Sequence, residues 1–128
     1  MSGAPSIVWF RQALRLDDNP ALVAAAGSGP VLPLFIYPGD EELPWKPGSA
    51  SAWWQRRSLR ALEEQLRRRG ASLVLRSGPV GATLLQIARA AGARRIHCNR
   101  RYEPAVAAND RQLQRELAQS GIKLQFHD

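Results

Sequence analysis

Charged and amide side chains cluster directly after the first apolar run of the sequence. The segment "IVWFRQALRLDDNPAL", Ile7 to Leu22, passes from a strand-like run to a helix start, and between the two lie Arg11, Arg15, Asp17, Asp18 and Asn19. Guanidinium, carboxylate and amide groups at a strand tip can bind a ligand, contact a second domain or pair with one another. Asp18 or Asn19 also suits the N-cap of a helix that begins at Pro20.

A second polar group, "NRRYEP", follows the fourth apolar run and extends from Asn99 to Pro104. In a doubly wound sheet whose strand order reverses beside strand one, strands one and four are neighbours. Both polar segments would then border one crevice at the carboxyl edge of the sheet. The sequence therefore predicts a site at this edge for a ligand or a second domain.

Standard catalytic and metal motifs are missing from the sequence. No G-x-G-x-x-G follows the first strand, and no Walker P-loop is present. His97 and His127 lack a metal-ligand spacing, and His97 and Cys98 would point to opposite faces of one strand. We therefore assign no catalytic residue and expect no metal site.

Five short apolar runs alternate with helical patterns along the chain. The predicted strands are Ser6 to Phe10, Val31 to Ile36, Ser72 to Leu75, Arg95 to Cys98 and Lys123 to Phe126. The predicted helices are Pro20 to Ala26, Ser51 to Arg69, Val80 to Ala91 and Pro104 to Ser120, the last with Asp110 interrupting its apolar stripe. Strict alternation of this kind predicts an α/β fold, a doubly wound, Rossmann-like five-stranded parallel sheet with helices on both faces.

Glycines and one long loop mark the connections. Gly70, Gly92 and Gly121 follow the last three predicted helices, where left-handed C-caps are expected. The segment from Tyr37 to Ser49 holds three Pro and two Gly, so it is predicted to be an irregular loop. Such a loop at a strand end serves either as a ligand contact or as a tolerated surface insertion.

Length and composition fit one domain, residues 1–128, with a formal net charge of +7. This charge favours encounters with nucleic acid or another polyanion, whereas the arginine-rich second helix also has the i,i+4 pairs of a solvated face. No apolar run is long enough to span a membrane, no secretory signal is visible, and Cys98 is the only cysteine. A cytoplasmic location without membrane contact is expected.

The sequence resembles the DNA photolyase and cryptochrome family at these polar segments. "VWFRQALRLDDNPAL" is similar to the N-terminal signature of the family, "NRRYEPAVAANDRQL" to its strand-four segment, and "GSASAWWQRRSLRAL" to the entry of its second helix. The similarity runs in order over essentially the whole chain. It implies an N-terminal α/β domain that binds an antenna chromophore.

The resemblance also implies partners for this chain. In the family, a larger helical domain holds FAD, binds damaged DNA and splits pyrimidine dimers after flipping them out of the duplex, with light energy passed on from the antenna. The segment 1–128 corresponds to the antenna domain alone. FAD is therefore expected only where the helical domain is present, which leaves open whether this chain alone is an enzyme.

The resemblance implies specific site residues. In folate-binding members an Asn-Glu pair follows the "YEx" stretch, whereas here Ala105 and Val106 stand in those positions, which favours a deazaflavin or a flavin over a folate. The corresponding cofactor-binding positions are Ile36, Tyr37, Arg101 and Glu103. The resemblance further implies a set of strand-tip residues that contact the second domain or form part of the family signature. These are Trp9, Arg11, Arg15, Asp18, Asn19, Asn99 and Tyr102. Two alternatives stay open: a free-standing nucleotide- or partner-binding module, and an inactive truncated remnant.

Overall fold

The computed structural model describes residues 4–11, 16, 19–37 and 49–128, with residues 49–54 described by their backbone alone. Strands and helices alternate along the chain. The strands are β1 (Ser6–Phe10), β2 (Val31–Tyr37), β3 (Val74–Ser77), β4 (Arg95–Asn99) and β5 (Lys123–His127). The helices are α1 (Pro20–Ala26), α2 (Ser49–Arg68), α3 (Val80–Ala91) and α4 (Pro104–Gln119).

The five strands form one parallel sheet in the order β3-β2-β1-β4-β5. The order reverses beside β1, so the doubly wound α/β fold is confirmed. β1 pairs with β4 in the register Ile7 to Ile96, which brings together the ends of two strands distant in the sequence. The carboxyl ends of all five strands lie at one edge of the sheet.

Two apolar layers hold the helices against the sheet. On one face, side chains of β1 such as Ile7 and Trp9 pack with residues of α3 and α4, including Leu84 and Leu117. On the other face, Val8 and Phe10 of β1 pack with α1 and α2. Alternate residues of the buried strand β1 therefore serve opposite layers, and this explains its unbroken apolar sequence.

Predicted boundaries differ from the observed ones by one or two residues. β2 extends to Tyr37, and β4 and β5 each extend one residue further than predicted. β3 begins at Val74 rather than Ser72, because its pairing with β2 begins with the contact between Leu34 and Val74. Ser72 is exposed and lies before this ladder.

Left-handed glycines follow the last three helices, as predicted. Gly92 has a φ of 70°, and its backbone N–H donates to the carbonyls of Ala88 and Arg89 at the end of α3. Gly70 and Gly121 also have positive φ values. Because residues with a Cβ rarely adopt this left-handed conformation, glycine at these positions fixes where each helix turns into the next strand.

A candidate ligand site at the carboxyl edge of the sheet

The tips of β1 and β4 bring together the two polar segments singled out in the sequence. Arg11 directly follows β1, and Asn99 is the last residue of β4. Around them the structure forms two separate contacts, one on each face of the sheet. Arg11 turns toward α4, whereas Asn99 turns toward α1.

Arg11 forms a buried ion pair with Asp110 of α4. Its Nη1 and Nη2 atoms donate to Oδ2 and Oδ1 of Asp110, each at 3.0 Å. The two side chains are only 8% and 9% exposed. The guanidinium also lies 4.4 Å from the centroid of the Trp9 ring, within the range of a cation–π contact. Paired hydrogen bonds of this kind fix both side chains in one geometry.

Burial and the ion pair shift the pKa values of Arg11 and Cys98 at the strand tip. Burial alone would lower the pKa of Arg11, but the hydrogen bonds that Arg11 donates to Asp110 and the negative charge of that carboxylate outweigh it and raise that pKa. Burial raises the pKa of the Cys98 thiol to about 12. The Cys98 Sγ, 3.9 Å from Arg11 Nη1, is therefore a protonated packing group at neutral pH rather than a nucleophile.

Asp110 is the residue that sequence reasoning did not place in the site. It stands out in the sequence only as a polar residue interrupting the apolar stripe of α4. A buried carboxylate needs a partner, so the interruption itself was the available signal. Its partner lies 99 residues away along the chain, and only the packing of α4 over β1 and β4 identifies it.

Asn19 and Asn99 together cap the first turn of α1. Asn19 Oδ1 accepts from the backbone N–H of Leu22 at 3.0 Å, which confirms Asn19 as the N-cap. Asn99 Oδ1 accepts from the N–H of Ala21 at 3.0 Å, and Asn99 Nδ2 donates to Asn19 Oδ1 at 2.9 Å. The ends of β4 and α1 are thus joined by side chains that also satisfy helix N–H groups.

The segment after β4 carries three further polar contacts. Arg101 pairs with Glu103 at 2.7 Å, and both belong to the predicted cofactor-binding set. The Nε of Arg101 is buried without a hydrogen-bond partner among the described residues. Tyr102 is exposed and donates its hydroxyl to Asp128, which also accepts from Arg100. This hydrogen bond raises the pKa of Tyr102 and lowers that of Asp128.

Ile36 and Tyr37, the other predicted cofactor-binding residues, lie at the carboxyl end of β2. The Ile36 side chain belongs to the core, while Tyr37 is half-buried with its ring edge against Phe35. β1 separates β2 from β4, so these two strands lie about 10 Å apart, two strand spacings, with Arg101 and Glu103 in the segment that follows β4. Both groups border the carboxyl edge of the sheet.

Some sequence predictions fall outside the described residues. These are the roles of Arg15 and Asp18 and the irregular segment between Tyr37 and Ser49.

Within the part of the chain that the structure describes, no cluster of three or more His, Cys, Asp or Glu side chains could hold a metal ion. No helix in that part is long and apolar enough to cross a membrane.

Two histidines on neighbouring strands meet beside this edge. His97 Nδ1 of β4 lies 2.9 Å from His127 Nε2 of β5, and the rings are stacked. His97 is 2% exposed, and its Nε2 has no partner among the described residues. Burial, with the nearby His127 and Arg95, lowers the pKa of His97. The sequence showed that this pair lacks a metal spacing, but not that the rings touch.

Acidification is expected to destabilise the domain through His97. Below the ordinary pKa of 6.5 the unfolded chain binds a proton at this position, whereas the folded chain does not until lower pH. The free energy of unfolding should therefore fall as pH decreases from 7.5 to 5.0. Replacing His97→Asn, which keeps a hydrogen-bonding group near Nδ1, should flatten this decrease. Urea unfolding at several pH values measures it, and an undiminished slope in the variant would contradict the assignment.

Comparison with known proteins places the chain in a family. The family model for DNA photolyase matches residues 6–128. The chain is 42% identical over 122 residues to cryptochrome-1 of Arabidopsis thaliana, covering 94% of this chain and 18% of that protein. It is 42% identical over 120 residues to the deoxyribodipyrimidine photo-lyase of Agrobacterium fabrum, covering 93% of this chain and 24% of that protein.

Solved structures show the same fold. A bacterial class III photolyase from Agrobacterium tumefaciens matches with a TM-score of 0.89 and 39% identity, covering 98% of this chain and 26% of that one. An archaeal photolyase from Sulfolobus tokodaii was solved with two FAD molecules that imply a novel light-harvesting cofactor. It matches with a TM-score of 0.82 and 26% identity, covering 97% of this chain and 29% of that one. The chain thus spans less than a third of each relative. It belongs to the DNA photolyase family and corresponds to the N-terminal α/β domain of that family.

Proposed function

We propose that this domain binds an antenna chromophore, a deazaflavin or a flavin rather than a folate, at the carboxyl edge of its sheet. The observation that carries this proposal is the reversal of strand order beside β1, with polar side chains around it. Ligands of doubly wound sheets bind outside the carboxyl ends of the strands at such a point. The two FAD molecules in the related Sulfolobus tokodaii structure support a flavin in this family.

The roles proposed for individual residues follow from their positions. The backbone at Ile36 and Tyr37 would contact one end of the ring system from β2. Arg101 and Glu103, already paired at 2.7 Å, would contact the other end from the segment after β4. The gap of about 10 Å between β2 and β4 suits a fused three-ring chromophore that crosses the end of β1.

The strand-tip residues are proposed to shape this edge for a second domain. Arg11, Asn19 and Asn99 are committed to contacts within the domain, so they organise the surface rather than bind a partner through free groups. Tyr102 is 70% exposed and is available for contact. The proposed partner is a helical domain that holds FAD and binds damaged DNA, and the complete protein would repair pyrimidine dimers in a light-driven reaction.

Absorption spectroscopy tests the antenna role. The purified chain is mixed separately with 8-hydroxydeazaflavin, FMN and methenyltetrahydrofolate, and unbound ligand is removed by gel filtration. A retained near-UV or blue band from a deazaflavin or flavin is the expected result. Retention of the folate alone would contradict the proposed chromophore class. Binding of a colourless nucleotide with no retained chromophore would instead favour a free-standing nucleotide-binding module.

Two variants, each of which replaces a charged side chain by a neutral one, test where the chromophore binds. Glu103→Gln and Arg101→Gln are expected to weaken chromophore binding about tenfold, roughly the loss of one charge-assisted hydrogen bond. The matched control is Glu116→Gln, a carboxylate of α4 in contact with Gln112 and remote from the edge. Equal weakening in the control would place the chromophore elsewhere.

A further inference from the structure

A groove lies between α4 and the outer strand β5, and it reaches the segment after β4, which contributes Arg100 and Arg101. Its volume is 410 Å³, within the range of small-molecule sites, which is about 300–1,000 Å³. Its apolar lining includes Ala107 and Ala118 on α4 and Leu124 and Phe126 on β5. The eleven residue steps from Ala107 to Ala118 correspond to about 16 Å along the helix, so the groove is long enough for an extended ligand of several rings or groups.

Positive charge surrounds this groove. Arg100, Arg101, Arg111 and Lys123 line it, together with a single carboxylate, Asp110, which Arg11 already neutralises. No carboxylate among the described residues pairs with Arg111 or Lys123. Two cations are therefore free to attract an anionic ligand, while Arg100 and Arg101 each have one acidic partner.

Unused hydrogen-bond donors also face this region. Arg101 lines the groove, and its Nε is a buried donor without a partner among the described residues. β5 is an outer strand: Lys123 N–H and His127 C=O bond toward β4, so by alternation the backbone of Leu124 and Phe126 faces the open edge. The carbonyl of Leu124 there accepts from Gln114 Nε2 at 2.8 Å. The N–H of Phe126 on the same side is a further donor for an oxyanion.

One wall of the groove can accept a planar ring. The Phe126 side chain is half-buried, and the Arg100 guanidinium lies 5.5 Å from the centroid of its ring. The guanidinium lies over one face of the ring, and both an exposed guanidinium plane and an aromatic ring are surfaces on which an aromatic base stacks. Cationic and aromatic groups therefore occur in one groove that is long enough to engage both ends of a ligand.

We propose that the groove between α4 and β5 binds a phosphorylated nucleotide, with its base against Phe126 and Arg100 and its phosphates toward Arg111 and Lys123. Its phosphate contacts differ from those of the antenna site, because they come from the body of α4 and the start of β5, although Arg101 borders both sites. It does not depend on the proposed antenna function.

Calorimetric titration with ADP tests the proposal. The unmodified chain is expected to bind ADP with a Kd below about 1 mM, and Arg111→Glu with Lys123→Glu should weaken binding at least tenfold. Ala118→Trp, which fills the groove without changing charge, should weaken ADP binding similarly.

Ribose 5-phosphate, which lacks the base, should bind about tenfold more weakly than ADP. In Ala118→Trp the absorption band of the retained deazaflavin or flavin should be unchanged. Failure of the groove proposal can therefore be distinguished from failure of the antenna proposal.

A charge-matched control separates a site from general attraction. Arg60→Glu with Arg89→Glu makes the same change in net charge at exposed positions of α2 and α3, outside the groove. Its ADP affinity should stay within twofold of the unmodified chain. Equal weakening in this control would overturn the proposal, as would an absence of ADP binding at millimolar concentration. Equal affinity for ribose 5-phosphate and ADP would overturn the assignment of a nucleotide.

Discussion

Replacing Asp110→Asn is expected to destabilise the domain by about 3–5 kcal/mol, because it leaves the charge of Arg11 buried and unpaired. Arg11 is 8% exposed, and both of its terminal nitrogens donate to Asp110. The asparagine has nearly the same shape, so the loss reports charge rather than packing. Urea unfolding at pH 7 measures the change in the free energy of unfolding.

A double variant distinguishes an unpaired charge from a lost contact. Arg11→Met combined with Asp110→Leu removes both charges and keeps apolar volume near Trp9 and Cys98. Its stability should lie within about 1–2 kcal/mol of the unmodified domain, since apolar residues often replace buried ion pairs at little cost. A double variant as unstable as Asp110→Asn would show that the ion pair itself, and not the orphaned charge, holds α4 against the strand tip.

The sequence predicted the elements well because the signals for them are local. Apolar runs of β1 and β2, the Asn19 cap and the glycine after α3 each act within a few residues. The position of β4 beside β1 followed from the general rule for doubly wound sheets, since both have buried apolar residues and helices between them. Fold class and the meeting of the two polar segments were therefore predictable.

The side-chain contacts at the site were not predictable in the same way. The chain has 11 Asp and Glu residues, and nothing in their spacing identifies Asp110 as the partner of Arg11. The contact between His97 and His127 depends on the register of β4 against β5, which pairs His97 with Gln125 and Asn99 with His127 and so places the two histidines diagonally on one face of the sheet. The groove along β5 depends on small residues of α4 leaving space, which only the packed structure reveals.

Asn19→Ala is expected to destabilise the domain by about 2–3 kcal/mol, because one oxygen serves two donors. Oδ1 of Asn19 accepts from Leu22 N–H and from Asn99 Nδ2, and the residue is 2% exposed. Loss of an N-cap costs about 1 kcal/mol, and the half-buried Asn99 amide left without its acceptor costs about 1–2 kcal/mol more. Thermal and urea unfolding of the purified domain measure the loss.

Two further variants divide this effect between the cap and the link to β4. Asn19→Ser keeps an oxygen that caps Leu22 but is too short to reach Asn99, so it should recover about 1 kcal/mol. In Asn99→Ala combined with Asn19→Ala, the loss should be smaller than the sum of the single losses by about 1 kcal/mol, because both single variants break the same hydrogen bond. Strict additivity would mean that the two amides act independently. Coupling would show that the end of β4 and the start of α1 are held as one unit at the edge where the chromophore is proposed to bind.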